Sequence, residues 1–314
     1  MSTLTQRRTL VPVPWADTEE IRRAVMAKSA AEQSEYVFNV PIHTSNFISA
    51  VKAIDFLVNR VGETVHPGGL RLHGEGGTGK SFILDFLIQR YPERFLLRGI
   101  QRPIVTISLL EGPNPASIRR DLLHAVGYAG SLRGTSAKDQ DDLIRDAFIE
   151  LDTRLLVIDE AGHLVASSRR LNTERLAGPC GDYLKVLYDK LKVPFVFLGT
   201  SGISTLIRQD PQLESRWRGD VHLHHYQNDQ QWNALLGALD QALPFEQLAG
   251  LNSKSFSNAL YATTQGNLRS LKRLVSDATL HAAKRLDRQI NFNHFAEAFD
   301  LQCPIGTNPF REAK

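Results

Sequence analysis

Residues 69–90, GLRLHGEGGTGKSFILDFLIQR, decide the fold. A short apolar strand runs into His73-Gly74-Glu75-Gly76-Gly77-Thr78-Gly79-Lys80-Ser81, which fits G-x-x-x-x-G-K-[ST], and the helical pattern SFILDFLIQR follows at once. Glycines in such a loop let backbone N–H groups wrap phosphates, and the helix N-terminus adds positive potential. Lys80 reaches the β/γ oxygens and the Ser81 hydroxyl binds magnesium. The expected ligands are therefore ATP and Mg2+, held by Gly74, Glu75, Gly76, Gly77, Thr78, Gly79, Lys80 and Ser81.

Outward from this loop, apolar runs bounded by turn residues alternate with helical patterns: RPIVTISLL, RLLVIDE, VPFVFLGT and DVHLHHY. Strands alternating with helices predict an α/β fold, a parallel sheet flanked by helices. Upstream, NFISAVKAIDFLVNRV places Phe47, Val51, Ile54, Leu57 and Val58 at helical spacing. From about Gln227 the strand signals stop, and helices are expected near 229–242, 254–263, 267–286 and 292–301. The expected organisation is an N-terminal arm, partly flexible, over 1–40; a nucleotide-binding core over 41–226; a helical lid over 227–302; and a C-terminal tail over 303–314. The arm mixes Pro12, Pro14, charges and short helical patterns without a clear apolar face.

Leu155-Leu156-Val157-Ile158-Asp159-Glu160 reads as a buried strand ending in two carboxylates. Asp159 belongs to the magnesium shell, and Glu160 orients and deprotonates the attacking water. Thr200, at the end of the next strand, is a candidate sensor of the γ-phosphate, although an ordinary helix cap is the plainer reading. In PQLESRWRGD, Arg216 is the candidate arginine finger for a neighbour's ATP, with Arg218 second. Arg269, in the first turn of its helix, opposes the helix dipole, and that misfit points to ATP as its counter-charge.

The 314 residues carry a formal charge of only +3, so overall charge permits nucleic-acid binding without requiring it. Local charge is more informative. Six basic residues stand against two acidic ones between Arg98 and Lys138, and Arg119, Arg120, Arg133 and Lys138 are the candidate DNA contacts. The stretch Arg269 to Arg288 is also basic, but a solvated helix face accounts for it. Only Cys180 and Cys303 are present and no CxxC occurs, which argues against a disulfide framework or zinc site. His222, His224 and His225 lack acidic or cysteine partners at metal-binding spacing. No signal peptide or membrane span is read, so a cytoplasmic protein is expected.

With these residues in hand, the chain resembles the TniB and TnsC family of AAA+ transposition ATPases. The resemblance runs from about Ile42 to Phe299, and DPQLESR and LPFEQLAGL are its most specific segments. It implies an ATP-dependent regulator that oligomerises on duplex DNA as a ring or helical filament. The same resemblance implies recruitment of a DDE transposase and a target selector of the TniQ type, with disassembly on hydrolysis. TniB proteins often carry N-N-G-K in the loop, whereas Gly77-Thr78-Gly79-Lys80 is closer to TnsC. The competing readings are a helicase loader or replication initiator, and a signalling ATPase switch that does not bind DNA.

Overall fold

The computed structural model describes residues 18–97, 99–168, 178–303 and 307–312. Helices α1 (Thr18–Met26), α2 (Ala30–Asn39) and α3 (Ser45–Asn59) precede strand β1 (Gly69–Gly74). Next come α4 (Lys80–Arg90), the short strands β2 (Arg94–Leu96) and β3 (Gly99–Gln101), and β4 (Ile104–Ser108). Helices α5 (Pro115–Ala125) and α6 (Ala137–Glu150) lead to β5 (Leu155–Asp159); α7 (Gly162–Ser168) and α8 (Gly178–Leu191) lead to β6 (Phe195–Gly199). Helices α9 (Ser201–Gln209) and α10 (Pro211–Arg216) precede β7 (Gly219–Leu223). The order ends with α11 (Gln230–Ala242), α12 (Lys254–Thr264), α13 (Leu268–Lys284), α14 (Phe292–Gln302) and α15 (Pro309–Glu312).

The chain divides into two units. One holds Ser49–Gly76 and Ile83–Leu223; the other holds the described residues up to Ile48, Gly77–Phe82 and the chain from His224 onward. In the first, five parallel strands lie in the order β4-β5-β6-β1-β7. Their continuous apolar runs suit strands covered on both faces, and Leu155 to Ile158 and Phe195 to Leu198 are buried. The crossover helices start where their caps dictate. Asn114 caps α5 with Pro115 in its first turn, and Ser136 and Asp139 form a capping box on α6. Gly74, Asp159 and Gly199 all fall at the carboxyl ends of their strands, the edge where open α/β sheets bind ligands.

The antiparallel pair β2 and β3 was not anticipated. Each strand is three residues long, and Phe95 is 81% exposed, so neither has the buried face that creates a readable alternation.

The second unit is helical, with Trp232, Leu235, Leu239, Leu260, Leu271, Val275 and Phe295 in its core. Two sequence expectations are corrected here. Residues 18–39, expected within an arm, form α1 and α2, and α2 packs along α13. Val37 is fully buried, Ser34 exchanges hydrogen bonds with Ser276, and the Lys272 ammonium donates to the carbonyls of Val37 and Val40. Residues 307–312, expected as tail, dock as well. Phe310 is buried and stacks on Phe295 with ring centroids 5.2 Å apart, while Asn308 donates to the Ala296 carbonyl. One buried apolar residue anchors each short helix, Val25 in α1, Val37 in α2 and Phe310 in α15, too sparse a pattern to stand out in sequence.

Candidate functional site

The second half of the glycine loop belongs to the helical unit. Gly77 and Gly79 adopt left-handed φ of +80° and +104°, which a side chain would strain. A Cβ at Gly77 would lie 2.2 Å from Asn267 Oδ1, so the backbone approaches the start of α13 as closely as only glycine permits. The Arg269 N–H donates to the Gly77 carbonyl at 3.2 Å, and Asn267 caps α13 through Ser270 N. Lys80 is the first residue of α4, with Ser81 exposed beside it. A side chain at Gly76 would meet nothing within 4 Å. An open, left-handed cradle at a helix N-terminus fits a polyphosphate.

In the sheet unit, β5 delivers the acidic pair. Asp159 is half-buried and accepts from the Glu160 N–H at 2.8 Å. Glu160 is exposed and left-handed at φ 51°, a conformation uncommon for a side-chain-bearing residue. The turn is held on both sides, because Ala161 N donates to the Leu198 carbonyl and His163 N to that of Glu160. An uncommon backbone conformation at one residue, fixed by its neighbours, marks the turn that carries the acidic pair. Burial, reinforced by the Asp159 charge, pushes the Asp85 carboxyl on α4 up, which marks the carboxyl edge as locally rich in negative charge.

Thr200 occupies the N-cap position of α9, but its side chain makes no cap hydrogen bond. A Cβ placed at Gly162 would lie 3.4 Å from Thr200 Oγ1, so the hydroxyl stands beside the turn that carries Glu160. Arg216 is at the other end of the sheet. It closes α10 just before β7, whose Gly219 pairs with Leu70 at the start of β1. Its guanidinium, with His66, Gly68, Tyr188, Asp189 and Ser215, lines an open cleft of about 350 Å³. From Gly69 to Gly74 the strand rises about 17 Å, and that length separates this end from the glycine loop of the same chain.

The expected DNA contacts divide. Arg133 and Lys138 are exposed, as is Arg120, which pairs with Asp121 at 2.9 Å. Arg119 is removed from the set. It is 9% exposed, donates to Asp141 at 2.7 Å and lies over the Tyr183 ring, so packing rather than phosphate consumes its charge. On α13, Arg269 is exposed and Lys272 is buried, and Arg285, which caps the helix, pairs with Glu297. Sequence reading misses Asn267, two residues before Arg269, because a cap residue carries no signal of what it touches. Asp189 was missed too, with no motif to mark it. Among the described residues no three His, Cys, Asp or Glu groups gather as a metal site, and His222 stacks on His73 instead. Among them, no helix is long and apolar enough to cross a membrane.

A parallel sheet of this order, with a phosphate-binding loop after β1 and an acidic pair after β5, accompanied by a helical unit, defines the AAA+ class of P-loop proteins. The chain belongs to the bacterial TniB protein family, whose profile matches residues 42–228. Solved structures share the fold at low identity. The Aeropyrum pernix ORC2 protein in its ADPNP and ADP complexes has a TM-score of 0.61 at 15% identity, covering 88% of this chain and 74% of that one. The Aeropyrum pernix ORC1 protein in complex with DNA has 0.56 at 16%, covering 89% and 69%. The Pyrobaculum aerophilum Cdc6p has 0.55 at 19%, covering 85% and 70%. No curated protein matches the chain in sequence.

Proposed function

We propose that this chain is a magnesium-dependent ATPase regulating DNA transposition. It assembles on duplex DNA when ATP is bound, recruits a DDE transposase and a target selector of the TniQ type, and disassembles on hydrolysis. The observation that carries the assembly is the placement of Arg216 at the strand end opposite Gly74, because a cation there stands a strand's length from its own loop and, on leaving its half-exposed ion pair with Asp189, can face a neighbour's. Membership of the TniB family supports the transposition role, and the likeness to ORC1, solved with DNA, supports the choice of partner.

In this reading Lys80 and the loop N–H groups bind the phosphates, while Ser81 and Asp159 hold Mg2+. When bound, the ion neutralises phosphate charge. Glu160 takes the proton of the attacking water, Thr200 orients that water, Arg269 contacts the nucleotide and a neighbour's Arg216 meets the charge developing on the γ-phosphate. Arg133 and Lys138, with Arg120, contact the phosphate backbone.

Electron microscopy with duplex DNA and a non-hydrolysable ATP analogue tests the reading. Rings or filaments on DNA are expected only with the nucleotide. Nucleotide-dependent assembly that ignores DNA would favour a signalling switch. The fold shared with ORC and Cdc6 proteins keeps a replication initiator as the second reading, and capture of a transposase by the assembled protein separates the two.

A further inference from the structure

Four side chains converge on Asp220 of β7. His73 Nε2 lies 2.8 Å from Oδ1, Ser204 Oγ donates at 3.2 Å, Arg208 donates to Oδ2, and Arg71 Nε stands 3.6 Å away. Arg71 and His73 come from β1, Ser204 and Arg208 from α9. His73 is joined to Gly74, the first glycine of the phosphate loop. Ser204 and Arg208 follow Thr200 by four and eight residues, so all three positions lie along one face of α9.

The inner part of the cluster is enclosed, with side-chain exposures of 3% for Arg71, 6% for His73 and 19% for Asp220, whereas Arg208 reaches it from the surface at 59%. Burial pushes the Asp220 carboxyl up, but the Arg71 charge and the His73 hydrogen bond outweigh it and hold the group below its ordinary value. Apolar side chains would fill such a space with less desolvation. What they would lack is direction: donors from two elements meeting on one carboxylate set both the roll and the depth of α9 against β1. Nothing within α9 does this for Thr200, whose hydroxyl makes no cap bond.

We propose that Asp220 is a positioning residue for ATP hydrolysis, fastening the Thr200 face of α9 to the strand that ends in the phosphate loop. The role rests on the ATPase reading above. Asp220 itself touches no substrate. It acts by keeping the Thr200 hydroxyl beside the Asp159–Glu160 turn.

The test is a double-mutant cycle on the full chain with duplex DNA, using Asp220→Asn and Thr200→Ala singly and together. Asp220→Asn is expected to keep ATP affinity within about twofold and to lower kcat by about tenfold or more, as small misplacements do. In the Thr200→Ala background the same change should cost little further, because the group it positions is gone. Losses that multiply independently would overturn the role, as would a fall in ATP affinity equal to the fall in kcat. Amide hydrogen exchange supplies a readout independent of activity. Residues 204–208 should exchange faster in Asp220→Asn while β6 stays protected, and unchanged exchange would overturn the fastening. If α9 loosens as expected but the wild-type chain hydrolyses no ATP, the ATPase reading falls and takes this role with it.

Discussion

The Arg216 guanidinium donates to Asp189 Oδ2 at 2.9 Å and to the Gln212 carbonyl at 3.1 Å, at the amino end of the sheet. The hydrogen bond from Arg216 holds the Asp189 carboxyl below its ordinary value. Both side chains are partly exposed, at 28% and 42%, so water screens the pair. Asp189→Asn should therefore cost less than about 1 kcal/mol of stability in urea unfolding. A loss of several kcal/mol would show that the pair holds the fold rather than the finger.

Lys80→Ala should weaken ATP binding by about thirtyfold, the equivalent of ~2 kcal/mol for one charge-assisted contact. Glu160→Gln should leave binding intact, lower hydrolysis by roughly 10²- to 10⁴-fold and trap the assembled state on DNA. Titration with a fluorescent ATP analogue and phosphate release measure the two effects. Equal affinity in wild type and Lys80→Ala would remove the lysine from the phosphate site.

DNA binding should be independent of sequence and should weaken steeply with salt, because phosphate contacts release counterions and carry no base information. Neutralising Arg133 and Lys138 together should reduce the slope of log affinity against log salt by about 2. An unchanged slope would place the interface elsewhere on the chain.

Lys272 gives the helical unit a pH dependence. Burial pushes its ammonium from 10.5 down to about 7. It faces the Val37 and Val40 carbonyls and the Phe82 ring. Above pH 7 the folded chain gives up this proton while the unfolded chain still holds it. Stability therefore rises with pH over about 7 to 10.5, whereas below 7 both states are protonated and the cost of the buried charge remains. Thermal midpoints of wild type and Lys272→Met should thus diverge between pH 6.5 and 9, with the wild type gaining. Parallel profiles would contradict the buried proton.

Much of the sheet was legible because its strands are continuous apolar runs closed by turn residues, and Gly74 and Asp159 announce their positions by motif. The later helices were legible from periodicity, and α11, α12, α13 and α14 lie where helices near 229–242, 254–263, 267–286 and 292–301 are expected. What stayed hidden depends on which face meets a partner. Arg119 and Lys272 were counted among basic stretches, yet each is buried, Arg119 in an ion pair with Asp141 and Lys272 against backbone carbonyls. Composition reports that a charge exists, whereas only the packed structure shows where it is spent. Helix α2 was hidden for a related reason, since Gln33 and Val37 alone are its buried residues.

An ATP site completed between subunits requires that two inactive variants rescue each other when mixed. Arg216→Ala removes the finger but leaves Glu160 able to work on its own bound ATP. Glu160→Gln removes the base but leaves Arg216 able to reach a neighbour. Each variant alone should be nearly inactive, whereas titrating one against the other on duplex DNA should restore ATPase activity at interfaces that pair an intact Glu160 with an intact Arg216. Co-assembled mixtures that stay as inactive as the separate variants would contradict the claim.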